Sequence, residues 1–130
     1  MPFVETALWT IEIPPEWLAE EEDDVVAIID PDDLGALEIT ALQKEQGNVD
    51  LAELAGFSSE LINEGNEPAK LSMNNFQGLY FQYNKEELHW REWLLCSGST
   101  LIFATYTTEL EHEGLDDVIV DQILDTLTLN

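Results

Sequence analysis

The chain has 130 residues, 28 of them Asp or Glu against 4 Lys or Arg, for a formal net charge of −24, and 45% of it is hydrophobic. That apolar content excludes a disordered acidic tail, which lacks the side chains that offset chain entropy, and the length predicts one domain. The charge argues against direct binding to nucleic-acid backbone or to an anionic membrane, both of the same sign, and leaves a basic partner open.

Leu8 to Ile13 alternates, with Trp9, Ile11 and Ile13 on one face and Leu8, Thr10 and Glu12 on the other, the period of a half-buried strand that Pro14 and Pro15 end. Val25–Ile29 and Ala36–Leu42 flank the turn-rich Asp30–Gly35, a hairpin pattern. After Gly47 the period becomes helical: Asp50 is a good N-cap with Glu53 three positions on, Leu51, Leu54, Phe57 and Leu61 recur at helical spacing, and Gly65 is the stop. Four strands follow, at Ala69–Met73, Phe76–Tyr83, Leu88–Cys96 and Thr100–Thr108, joined by loops short enough for antiparallel neighbours. From Leu115 the pattern is helical again, with Leu115, Val118, Ile119, Ile123 and Leu127 in one stripe and Asp116 and Asp117 in the first turn, where the helix dipole favours negative charge.

The order β-β-β-α-β-β-β-β-α predicts a single α+β domain over residues 1–130, an antiparallel sheet of about six or seven strands flanked by two helices. One face of Leu88–Cys96 carries Leu88, Trp90, Glu92, Leu94 and Cys96, the other His89, Arg91, Trp93 and Leu95. Both are partly apolar, which predicts a layer on each side, supplied by the helices or by a binding or dimer contact.

The strand Trp9-Thr-Ile-Glu-Ile running into Pro14-Pro-Glu-Trp17, the closing helix through Ile123-Leu-Asp-Thr-Leu, and this element order together resemble the superfamily of the photosystem PsbP proteins, the Mog1 proteins and bacterial DcrB-like domains. The resemblance implies a Mog1/PsbP-like sandwich, a bacterial source and a mostly non-catalytic role in binding another protein, as Mog1 binds a small GTPase, PsbP docks on a photosystem and some DcrB-like proteins act as chaperones for secreted effectors. No binding residue carries over by position. The chain departs from PsbP and DcrB relatives in showing no targeting sequence, which counts against a thylakoid or periplasmic role.

The N-terminus lacks the basic segment, apolar core and small-residue cleavage site of a signal peptide, and no apolar run reaches the roughly 20 residues of a membrane helix. Cys96 is alone, so it cannot form an internal disulfide, and no Cys/His cluster has zinc spacing; the expectation is a cytoplasmic chain with no metal or cofactor. Cys96 and His89 are seven positions apart on one strand, which sends them to opposite faces and gives no nucleophile–base pair. Ser97-Gly-Ser99 lacks the Gly-x-Ser-x-Gly elbow and reads as a turn. Asp30-Pro-Asp32-Asp33-Leu-Gly35 begins like a calcium loop but has Leu34 at the fifth position and Ala41 at the twelfth, so it too reads as a turn. His89 and His112 are read as ordinary strand and loop positions.

The acids are unevenly spread: Glu16–Asp33 holds nine and Glu109–Asp125 seven, neither with a base. They are either solvated faces or surfaces that steer a basic partner. The partner-binding candidates are Glu20, Glu21, Glu22, Asp23 and Asp24, with Trp90 and Trp93 as aromatic anchors if either is exposed. The leading expectation is a non-catalytic protein-binding module, adaptor or chaperone-like, that engages a basic protein or a second copy of itself through an aromatic sheet face with an acidic rim. Two alternatives stand beside it: an acidic inhibitor or immunity protein against a basic enzyme, and a small-ligand binder or enzyme with a pocket between sheet and helix.

Overall fold

A computed structural model describes residues 2–130. Two antiparallel sheets form the fold. The smaller has β1 (Phe3–Glu5), β2 (Trp9–Glu12) and β10 (Thr128–Leu129), with β2 in the middle. The larger has β3 (Leu18–Glu22), β4 (Val25–Ile29), β5 (Gly35–Gln43), β6 (Ala69–Met73), β7 (Phe76–Lys85), β8 (Leu88–Ser97) and β9 (Thr100–Glu109), in the spatial order β3-β4-β5-β9-β8-β7-β6. Two short helices, α1 (Leu51–Phe57) and α2 (Ser59–Asn63), link β5 to β6, and α3 (Asp117–Asp125) links β9 to β10 after a 3-10 turn at Leu110–His112. The α+β class and the seven-stranded antiparallel sheet agree with the sequence pattern.

Strand alternation sorts the large sheet into two faces. Val26 and Ile28, Leu37 and Ile39, Ile102, Ala104 and Tyr106, Trp93 and Leu95, and Phe76 point inward. They pack against Trp9, Ile11, Ile13 and Trp17 from the small-sheet side and against Val120, Ile123, Leu124 and Leu127 of and after α3. On the outer face Leu79 and Phe81, Leu94 and Cys96, and Leu101 pack under Leu54 of α1 and Val49. Burying a side chain such as Leu95 or Leu54, neither with any exposed surface, contributes about 1.5–3 kcal/mol each. Gly78 is required for close packing: a Cβ there would collide with the Leu94 carbonyl and come within 2.9 Å of Leu95 Cδ2.

Several elements differ from the sequence expectation. The single helix after Asp50 is two: Asp50 does cap α1, its carboxylate accepting from the Glu53 N–H at 2.8 Å, but the Ser58 hydroxyl donates to the Leu54 carbonyl at 2.9 Å and marks the break. Strands β1, β3 and β10 are additional. β3, Leu-Ala-Glu-Glu-Glu, has no apolar alternation because it is an edge strand held by backbone pairing to β4 and exposed throughout. The closing helix exists, but its buried stripe is Val120, Ile123 and Leu124, continued by Leu127, while Leu115 and Val118 are 63% and 67% exposed. Asp116 sets that rotation, because its carboxylate is drawn inward to the Tyr106 hydroxyl, which turns the next residues outward.

Candidate functional site

The layers over the large sheet are unequal. The small sheet and α3 cover the inner face, whereas α1 and α2 cover only the β7-β8-β9 half of the outer face. Among the described residues, no element covers the β3-β4-β5 half. There the alternation leaves Leu18, Val25, Ala27, Ile29, Ala36 and Leu42 half-buried or exposed, interleaved with Glu20, Glu22 and Glu38. Leu18 and Leu42 are 66% and 57% exposed.

Where this bare surface meets the helices the sheet forms a cleft of about 450 Å3. Phe57, Ser58, Glu60, Leu61 and Glu64 form one wall; Tyr83, Trp90, Glu92 and Phe103 rise from the sheet. Tyr83 and Trp90 are cross-strand partners whose rings run parallel, 3° between planes and 6.2 Å between centroids. The Trp90 indole N–H donates to the Lys85 carbonyl at 3.3 Å. Phe103 meets Phe57 edge to face at 5.8 Å, although Phe57 is 59% exposed.

Glu92, central on β8, brings a carboxylate into this apolar surround. Burial pushes its carboxyl above the ordinary range, and the Tyr83 hydroxyl and the Lys85 charge offset only part of the effect. No cation of the chain is paired with Glu92 among the described residues. Lys85 is held at the rim by Glu64, at 3.2 Å; Lys44 pairs with Glu53 at 3.0 Å; Arg91 points to the other face.

On that inner face Arg91 is buried, donating to the Tyr80 hydroxyl and to Asp121, both at 2.7 Å, and to Asp117 at 3.4 Å. Its guanidinium lies 4.6 Å from the Trp93 ring centroid, a cation–π contact between two inward-facing side chains of β8. Trp93 is therefore a packed core residue at 5% exposure, and a place on a partner surface is corrected for it. Trp90 and Trp93 lie three positions apart on one strand, so their side chains go to opposite faces: Trp90 stands beside Tyr83 in the cleft, and the Trp93 ring packs with Arg91 on the inner face.

The acidic candidates divide in the same way. Glu20, Glu21 and Glu22 lie on β3, with Asp23 and Asp24 in the turn to β4; Glu20 and Glu22 face the bare outer surface with Trp90, and Glu21 faces the other side. The two base-free acidic segments meet at one end of the molecule, where Asp30 and Asp116 hydrogen-bond through their carboxyls. Asp30 also accepts from the N–H groups of Asp32, Leu34 and Gly35 at 2.9–3.1 Å, closing the β4–β5 turn. Burial works against its ionisation, but Asp116 and these backbone donors outweigh it and hold Asp30 below the usual range. Asp116 is pushed up to about 6 by burial and by Asp30, with the Tyr106 hydroxyl, donating at 2.5 Å, pulling the other way. Of the rest of the second segment, Asp117, Asp121 and Asp125 lie on α3 over the inner face, Glu109 ends β9 on the outer-face side with Leu88, and Glu111 and Glu113 lie in and just after the 3-10 turn.

Cys96 is buried on the outer face and His89 on the inner one, as the odd spacing requires. The His89 ring accepts or donates among Asn84 at 2.7 Å, Gln82 at 3.2 Å and Glu113 at 3.2 Å, a closed set. At the turn after β9, Glu109, Glu111 and His112 bring one ligand atom each within 4.8 Å of one another, a grouping that becomes visible only when the 3-10 turn stacks them; both glutamates are exposed. Glu92 was not singled out by sequence. The one signal for it is an acid between Trp90 and Leu94 on the same strand face.

No helix among the described residues is long and apolar enough to cross a membrane. No protein-family model matches the chain, and no curated protein matches it. Among solved structures, 94% of this chain superposes on a crystal structure from Bacteroides thetaiotaomicron VPI-5482, with a TM-score of 0.70 and 12% identity, and spans 45% of that longer chain. The same share of the chain superposes on the solution structure of cyanobacterial PsbP (CyanoP) from Synechocystis sp. PCC 6803, with a TM-score of 0.61 and 9% identity, over 86% of that chain. The fold is PsbP-like.

Proposed function

We propose, with the PsbP-like fold as the frame, that the chain is a non-catalytic protein-binding module, adaptor or chaperone-like, which docks a protein with a basic, partly apolar surface on the outer face of its large sheet. The observation that carries this is the uneven covering of that sheet: an apolar stripe from Leu18 to Leu42 left bare, interleaved with Glu20, Glu22 and Glu38, and continuous with an aromatic cleft. A stripe of this kind fits an interface core with a charged rim. A net charge of −24 selects a positive partner and speeds its approach.

The cleft lining favours binding over catalysis. The lining holds no His or Cys, and the Ser58 hydroxyl is committed to the Leu54 carbonyl, so Glu92 has no activated nucleophile beside it. The buried lone thiol of Cys96 suits a reducing compartment, in keeping with a cytoplasmic setting.

The test compares proteins retained from lysate by the wild-type chain and by Ala27→Arg, which places a cation in the middle of the bare stripe, with Val118→Arg on exposed α3 surface as the control. Partners retained by wild type and Val118→Arg but lost by Ala27→Arg, with crosslinks to β3, β4 or β5, support the reading. Equal retention by all three, with each variant folded by circular dichroism, overturns it.

A further inference from the structure

The cleft beside the bare stripe has a more specific chemistry than the stripe itself. Its walls are aromatic and aliphatic: Phe57, Leu61, Tyr83, Trp90 and Phe103. Its floor is the Glu92 carboxylate, partly removed from water, met by the Tyr83 hydroxyl and the more distant Lys85 charge, and, among the described residues, in no ion pair. Lys85, the one basic residue in the lining, is turned to Glu64 at the rim. A cavity of about 450 Å3 is in the size range that takes a small group. A carboxylate at the floor of an apolar cleft is costly in isolation and favourable once a cation enters, because removal of water strengthens their attraction. Rings flanking the path add cation–π attraction and cover an alkyl stem.

We infer that this cleft is a socket for one basic side chain of the docked partner, Glu92 receiving the cationic head and Phe57, Trp90 and Phe103 covering the alkyl stem. The inference rests on the docking role proposed for the outer face and deepens it by naming the group that anchors the partner. It commits to a side chain presented by a protein: the cleft opens onto the bare stripe, where the rest of a partner would lie. Glu60, Glu64 and Glu86 at its mouth guide a positive group in and repel an anionic one.

The experiment titrates 15N-labelled protein with three acetylated, amidated pentapeptides, identical but for a central arginine, citrulline or norleucine. Citrulline keeps the shape and hydrogen-bonding groups of arginine without its charge. The expected result at low salt is at least tenfold tighter binding of the arginine peptide than of either other peptide, with the largest shifts at the Trp90 indole N–H and at Phe57, and loss of that preference in Glu92→Gln. Trp90→Phe, which keeps a ring at the site, retains the charge preference at reduced affinity. Equal binding of arginine and citrulline peptides, an undiminished preference in Glu92→Gln, or shifts centred away from the cleft overturns the socket. The two readings fail separately. If Ala27→Arg abolishes partner retention while Glu92→Gln leaves both retention and peptide preference intact, the docking face stands and the socket falls. If Ala27→Arg has no effect, the docking face falls, whatever the peptides do.

Discussion

Replacing Asp116 with Asn makes the protein more stable at neutral pH, by an amount that depends on pH in a specified way. Asp116 and Asp30 are two buried carboxyls in hydrogen-bond contact, and that contact needs a proton between them. Asp116 is the member that keeps it, with its carboxyl raised from 3.8 to about 6. Between those two values the unfolded chain has released a proton that the folded chain still holds. The stability due to the protonated pair is therefore complete below about 3.8 and is lost as the pH rises through about 6. At 1.36 kcal/mol for each pH unit between the two values, the loss by pH 7.5 is on the order of 3 kcal/mol. Asn is a permanent mimic of the protonated acid: its amide donates to Asp30, and its carbonyl accepts from Tyr106. Urea unfolding followed by circular dichroism should thus give Asp116→Asn an advantage of about 3 kcal/mol at pH 7.5, shrinking to about 1 kcal/mol at pH 4.5. Asp30 acts with the opposite sign. It sits below its ordinary range, so its contribution is present above about 3.8 and is lost as the pH falls further, outside the interval compared. A variant no more stable than wild type at pH 7.5, or one whose advantage is the same at both pH values, refutes the shared-proton reasoning.

Three further outcomes follow from the backbone and the sheet edge. Gly78→Ala forces a methyl group against the Leu94 carbonyl across β7 and β8 and is expected to cost about 1–3 kcal/mol, read as a lower urea midpoint with an unchanged slope. The β7–β8 turn puts two non-glycine residues, Glu86 and Glu87, at φ +56° and +65°, where an L side chain is strained; the double change Glu86→Asn with Glu87→Gly fits a two-residue hairpin of this kind and is expected to raise stability by about 1–2 kcal/mol. An unchanged or lower thermal midpoint for that variant contradicts the strain assignment. Glu20→Val with Glu22→Val removes the charges that keep the exposed edge of β3 from pairing with another copy, and sedimentation velocity is expected to show concentration-dependent self-association absent from the wild type. A variant that sediments as the wild type does at every concentration shows that those charges do not guard the edge.

The strands were legible because their signal is local. In Trp9–Glu12 and Leu88–Ser97 the side of each residue is fixed by the two-residue repeat, so the separation of Trp90 from Trp93 and of Cys96 from His89 follows from counting. The edge strand β3 escaped detection for the converse reason: no face of it is buried, so selection for an apolar alternation is absent and only pairing with β4 makes it a strand. The face of the last helix was ambiguous, since apolar residues at 115, 118, 119, 120, 123, 124 and 127 supply two overlapping stripes. The tether of Asp116 to Tyr106 chooses between them, and that is a contact between distant parts of the chain.

Composition and periodicity alone determined an acidic α+β chain with an antiparallel sheet, aromatic on both sides of its central strands, and a closing amphipathic helix. Tertiary structure decided where the charge lies. It brought the two acidic segments together at Asp30 and Asp116, placed Asp117, Asp121 and Asp125 on α3 over the inner face, and left Glu20, Glu22 and Glu38 beside a bare apolar stripe. It also made Glu92 distinctive among 28 acids. The physical reason is that a carboxylate acquires its character from desolvation and from the charges around it, and both depend on which helices cover which strands, a property of the packed chain that no local spacing encodes.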